Sequence, residues 1–210
     1  MFVVHVSNID AALVGQEPFD YQSGVALHGQ GGGTFPDTWV DNAYWIPGFS
    51  ASNGGLTYPG LAVSGNAALG IGSGSNYRLN RPIGQEWHYN VDDEMWISFL
   101  LQVDDATPQS DEFVGIVLAK PSVVGSVYIG MYDSRNIGFN VQEHDNIYAT
   151  HYEGINDDAI TVGQTHLILA HLVFNGDNMA DSLDLWVDPV IGDPLGTPND
   201  SYSGARMILS

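Results

Sequence analysis

The chain has 210 residues, 44% of them hydrophobic, enough for the core of one domain of ordinary size. Its 25 acidic residues against 5 basic ones give a formal net charge of −20. The five cations (Arg78, Arg81, Lys120, Arg135, Arg206) are scattered, which argues against a DNA or RNA partner and against an anionic membrane surface. No cysteine is present, so disulfides and thiolate metal sites are excluded. No apolar run approaches the roughly 18 residues of a membrane span.

Such acidity serves solubility by self-repulsion, suits a high-salt setting, or recruits carboxylates to divalent cations. The opening "MFVVHV" is too short for a signal-peptide core, and no Lys or Arg precedes Arg78. Export then implies a leader removed before this numbering, or another route.

Along the chain the texture is all-β. Twenty-five Gly and ten Pro punctuate short runs rich in Val, Ile, Leu and aromatic residues, and no dozen residues hold a helical period. Strands are expected at 2–6, 43–46, 56–63, 95–103, 113–119, 126–131, 136–141, 166–174, 183–187 and 205–209. That count and spacing point to two packed antiparallel sheets. "HGQGGGTFPDTW" (28–39) and "GIGSGSNYRLN" (70–80) read as Gly-rich loops. The second lacks the strand-then-helix context and the Lys of a phosphate cradle. "THLILAHLVF" (165–174), the polar "NGDNMAD" and "SLDLWVDP" read as a hairpin, with Asn-Gly starting its turn and Pro189 ending its second strand. No repeat and no linker divides the chain, so 1–210 is read as one domain.

This hairpin resembles the signature of laminin-G-like domains within the concanavalin A-like jelly-roll superfamily. There a strand of the pattern "H-x-x-L-x-x-x-h" leads through a Gly/Asp turn to "L-x-L-y-V-D-G". Residues 166–174, Gly176 and Leu183-Asp184-Leu185-Trp186-Val187-Asp188 stand in those places, with Pro189 where the family often has Gly. "MWISFLLQVDD", "FVGIVLAKP" and "IGFNVQEHDN" resemble the family's core strands. The resemblance spans about residues 17–209 and implies a two-sheet antiparallel jelly-roll sandwich with little or no helix. The family usually closes on a strand of the type "D-E-h-R-h", whereas this chain ends "ARMILS". An edge is thereby left for residues 1–6 to cover, within the chain or by exchange with a neighbour.

Glucanases of this fold carry "E-x-D-x-E" on one strand. The nearest fragment here, Glu143-His144-Asp145, lacks the third carboxylate. Asp184 and Asp188 stand roughly 13 Å apart along a strand at about 3.3 Å per residue, against about 5–5.5 Å for a retaining pair. Neither G-x-S-x-G nor H-E-x-x-H occurs. His166 and His171 differ by five and face opposite sides of their strand. Glu143, His144, Asp145 and His151 approach one another only if a hairpin joins their strands. Catalysis is therefore not expected.

Calcium is the better metal candidate, since it takes six to eight hard oxygens and the resemblance implies a structural ion near the chain ends or a hairpin turn. The candidate ligands are Asn175, Asp177 and Asp181 in the turn, with Asn178 beside them, and Glu17 and Asp20 near the start. Such residues also simply favour turns. Sugar recognition needs aromatic faces with planar polar groups beside them. Trp186 between Asp184 and Asp188, Trp87 with Tyr89, and Trp45 supply these, although large aromatics also fill β cores. The expectation is a non-catalytic carbohydrate-binding or adhesion module, secreted or at the cell surface, with a glycan partner and structural calcium. The alternative is a structural subunit that assembles into a homo-oligomer, surface layer or filament by strand exchange. A polysaccharide-cleaving enzyme comes third.

Overall fold

The computed structural model describes residues 2–6, 12–41, 48–70, 79–82, 93–104, 113–119, 126–132, 136–142, 150–155, 159–175 and 180–204. Within them the chain is strand and loop, without helix. The strands in chain order are β1 (Phe2–Val6), β2 (Ala12–Glu17), β3 (Val40–Asp41), β4 (Phe49–Ala51), β5 (Ala68–Gly70), β6 (Leu79–Asn80), β7 (Asp93–Gln102), β8 (Phe113–Ala119), β9 (Ser126–Tyr132), β10 (Asn136–Gln142), β11 (Thr150–Ile155), β12 (Thr165–Phe174), β13 (Ser182–Val187) and β14 (Asp200–Ser203).

All pairings are antiparallel. A six-stranded sheet runs β14-β13-β12-β7-β1-β2 and a four-stranded sheet runs β11-β10-β9-β8, with two ribbons, β3-β6 and β4-β5. The alternating pattern of β7 and β12 explains the first sheet. Met95, Ile97, Phe99 and Leu101 on one strand, and Ile168, Ala170, Leu172 and Phe174 on the other, turn inward together. Leu118, Val127, Ile129, Met131, Ile137, Phe139 and Val141 of the second sheet join the same buried cluster. Fully burying a side chain such as Phe139 contributes about 1.5–3 kcal/mol.

Four glycines, Gly115, Gly130, Gly138 and Gly154, fall in register across the four-stranded sheet. Two of them are required by close approach. A Cβ on Gly115 would run into the carbonyl oxygen of Ile129, and one on Gly130 into that of Val114, with the Phe113 ring against both.

The structure corrects the strand list at one point. Residues 56–63 form no strand, only an isolated bridge between Tyr58 and Leu61. Pro59 cannot donate to a ladder, and Gly60 at φ 80° turns the chain back. The 2–6 strand forms with the expected bounds, within the chain. β1 lies inside the six-stranded sheet of its own chain, with Phe2 opposite Phe99 on β7 and Glu17 on β2. β2, β11, β14 and the short ribbons were not foreseen. The strands expected at 43–46 and 205–209 lie outside the described residues.

Candidate functional site

The β12–β13 hairpin forms as expected, with His171 opposite Asp184 and Leu169 opposite Trp186. Leu183 and Leu185 enter the core and Asp184 faces away from it, where it accepts a hydrogen bond from Ser201 Oγ at 2.6 Å. Trp186 also faces away from the core, yet it is only 8% exposed. The 189–199 segment folds back over it: its indole N–H donates to Gly196 O at 2.9 Å. Asn199 anchors that segment, its N–H donating to Leu185 O and its Oδ1 accepting from Val187 N, each at 2.8 Å. Trp186 therefore offers no open face for a sugar ring. Its ring instead stacks at 5.9 Å on Trp96, which lies flat on His171 at 3.9 Å. His171 Nε2 pairs with Glu94 Oε2 at 2.7 Å.

Asp188 leaves the row altogether. The strand ends at Val187, and Asp188 adopts φ 52°, a turn conformation that Asp tolerates better than most residues. Its carboxylate accepts from Leu167 N at 2.9 Å and pairs with His166 Nδ1 at 2.7 Å, while its own N–H donates to Leu167 O at 2.8 Å. His166 is 3% exposed, and its Nε2 accepts from Thr161 N at 3.0 Å. The ring therefore carries its proton on Nδ1 and donates it to Asp188. With both nitrogens engaged, this His–Asp pair holds a carboxylate in place and leaves no nitrogen to act as a base. The Asp188 side chain keeps 32% of its surface open.

Two depressions meet at Asp188. One, of about 300 Å³, lies along the covering segment between Trp186 and Asn199 and includes Asp193 and Pro194. The other, of about 380 Å³, is walled by Thr57, Tyr58 and Pro59 on one side and by Gln164 and Thr165 on the other. The Tyr58 hydroxyl points to Pro189 O at 3.4 Å. Burial raises the pKa of this phenol, and the charge and hydrogen bond of Asp188 raise it further.

Of the expected calcium ligands, Asn175, Asp181 and Glu17 are bound into clasps within the chain. Asp181 is fully buried, and its Oδ1 accepts from Asn175 N at 2.8 Å, while the Asn175 amide donates to Ala180 O at 2.7 Å. These contacts close the neck of the turn; Asp177 lies outside the described residues. Glu17 is also fully buried and pairs with Arg81, and its carboxylate accepts from Phe19 N, Tyr21 OH and Trp39 Nε1 as well. The Arg81 guanidinium is seated on the Glu17 carboxylate, and Asp20 is exposed. Arg81 in turn donates to Gly32 O and Phe35 O and lies over the Phe35 and Trp39 rings at 5.7 and 5.6 Å. Among the described residues, no three His, Asp or Glu side chains group as a metal site. Trp45, Trp87, Tyr89, Glu143, His144 and Asp145 lie outside the described residues.

Sequence reasoning missed Tyr58, Gln164 and the His166–Asp188 pair. Tyr58 was assigned to a strand, although the Pro59-Gly60 after it marks a turn tip. The His166–Asp188 contact joins residues 22 apart through hairpin register, which local spacing does not reveal. Comparison with known proteins gives no match: no family model, no curated protein and no solved structure.

Proposed function

We propose that the chain is a non-catalytic carbohydrate-recognition module of jelly-roll, laminin-G-like type, acting outside the cell or at its surface, with the glycan seated at Asp188. The observation that carries this reading is that Asp188 lines both depressions while its carboxylate is held from behind by His166 and Leu167. A preorganised acceptor with open surface suits a sugar hydroxyl, because little side-chain ordering is lost on binding. Tyr58 and Pro59 supply an apolar wall, and Gln164, Thr57 and Thr165 supply neutral polar groups around it. We favour this over a subunit that donates its first strand, because β1 is paired on both sides within its own chain.

A glycan array followed by calorimetry on the hits tests the proposal. Tyr58→Ala and Gln164→Ala should each weaken binding several-fold while leaving thermal stability within a few degrees. Absence of any glycan hit, or hits indifferent to both substitutions, would remove Asp188 as the site.

A further inference from the structure

We propose that the Asp188 site prefers 6-deoxyhexose units, with the methyl group of the sugar against Val190 and Leu195 while a ring hydroxyl donates to Asp188. This preference rests on the sugar-binding reading above. Val190 is 67% exposed, Ile191 42% and Leu195 43%, and these make up half of the exposed large hydrophobic side chains among the described residues. All of them lie on the one segment that covers Trp186. A lone exposed aliphatic side chain is ordinary, but a cluster of them beside polar groups marks a surface that receives a ligand. Val190 and Leu195 line the same depression as Asp188, together with Pro189 and Pro194.

The segment is pinned along its length. The Trp186 indole holds Gly196, and Asn199 is tied to Leu185 O and Val187 N. Between these ties and Asp188, Asp193 N donates to Val190 O at 3.3 Å across a turn that contains Gly192 at φ 93°. Pro189, Pro194 and Pro198 fix their own φ angles. Ile191 packs on the 58–61 turn, where a Cβ on Gly60 would stand 3.2 Å from the Ile191 Cβ. Aliphatic groups held in this way lose little freedom on binding. The lining is also divided in chemistry: Asp188, Thr197 and Asn199 can bond hydroxyls, whereas Val190, Pro194 and Leu195 present aliphatic side chains. A hydroxymethyl against Val190 and Leu195 would give up water without gaining a partner, whereas a methyl gains by leaving water. The other depression, walled by Thr57, Tyr58, Gln164 and Thr165 with Pro59, offers hydroxyl and amide groups instead.

The test uses methyl glycosides of galacto, manno and gluco configuration, each beside its 6-deoxy form, titrated by calorimetry and 15N NMR. In the pair that binds, the 6-deoxy form should be about fourfold tighter, the factor that one buried methyl-sized group supplies. Its binding should show the more negative heat-capacity change, and the ratio should not fall in high salt. The double substitution Val190→Ser with Leu195→Ser should bring the ratio to about one while thermal stability stays within a few degrees, because both side chains are exposed. Ile191→Ser, outside the lining, should keep the ratio. Equal affinity within every pair, or a ratio that survives the double substitution, overturns the preference while leaving the sugar site standing. Failure of every 6-deoxy form beside a positive array also overturns it, whereas failure beside a blank array removes the sugar-binding reading itself.

Discussion

Replacing Arg81 with Met tests how the Gly-rich first third of the chain is held. Arg81 and Glu17 are 3% and 0% exposed, so their charges are compensated by each other and by fixed dipoles rather than by water. Met keeps much of the aliphatic stem but removes the guanidinium. Gly32 O and Phe35 O then lose charged donors at 2.6 and 2.9 Å. Glu17 loses its counter-ion but keeps Phe19 N at 2.7 Å, Tyr21 OH at 2.9 Å and Trp39 Nε1 at 3.3 Å. Breaking a buried pair from one side costs about 3–5 kcal/mol. The three remaining donors place the expected loss near the lower end, about 3 kcal/mol. At about 2–4 °C per kcal/mol for a chain of this size, Tm should fall by about 6–12 °C. Urea unfolding followed by Trp fluorescence reads the loss directly. The double substitution Glu17→Met with Arg81→Met removes the stranded charge but leaves Phe19 N–H, Tyr21 OH and Trp39 Nε1 without their acceptor, so it should recover only part of the loss. A single-variant loss below about 1 kcal/mol would refute the reasoning, since it would mean that water reaches the pair.

Three further outcomes are expected. Gly130→Ala should destabilise the chain by about 2 kcal/mol or more in urea unfolding, because the added methyl meets the Val114 carbonyl across the strand gap. In an alkaline spectrophotometric titration, Tyr21 and Tyr58 should ionise later than an ordinary tyrosine. Burial is the first cause for both, followed by Glu17 for Tyr21 and Asp188 for Tyr58. Their folded-state pKa values lie above the unfolded ones, so this contribution is present below about pH 10 and is lost as pH rises through the folded values. His166→Leu should cost about 2–4 kcal/mol, because it strands the Thr161 N–H and half of the Asp188 carboxylate, and 15N NMR of the wild type should find the imidazole proton on Nδ1.

The parts of the fold that were legible in the sequence are those where alternation and burial coincide. β7 and β13 place apolar residues at every second position, which marks them as strands, whereas β12 is a nearly continuous apolar run marked by its length and the polar turn after it. β14, "DSYS", was illegible because it is a short polar edge strand whose pairing is decided by its neighbour β13. The same division holds at the site. The outward face of Asp184 and Trp186 follows from strand parity. That Trp186 lies under a proline-bearing segment, and that Asp188 turns off the strand to meet His166, depends on contacts between loops. Glu17 looked like a metal ligand because its partner is Arg81, 64 residues away, and the segment between them is rich in Gly and carries no periodic signal.

The most direct measurement is a 15N-labelled backbone titration with the best-binding neutral oligosaccharide. The account predicts that chemical-shift changes concentrate on Thr57, Tyr58, Gln164, Thr165, Asp188 and Asp193, and that they need several-fold more ligand to saturate in Tyr58→Ala. Changes centred instead on Glu94, Trp96, His171 and Asp184, or no saturable change at all, would contradict it.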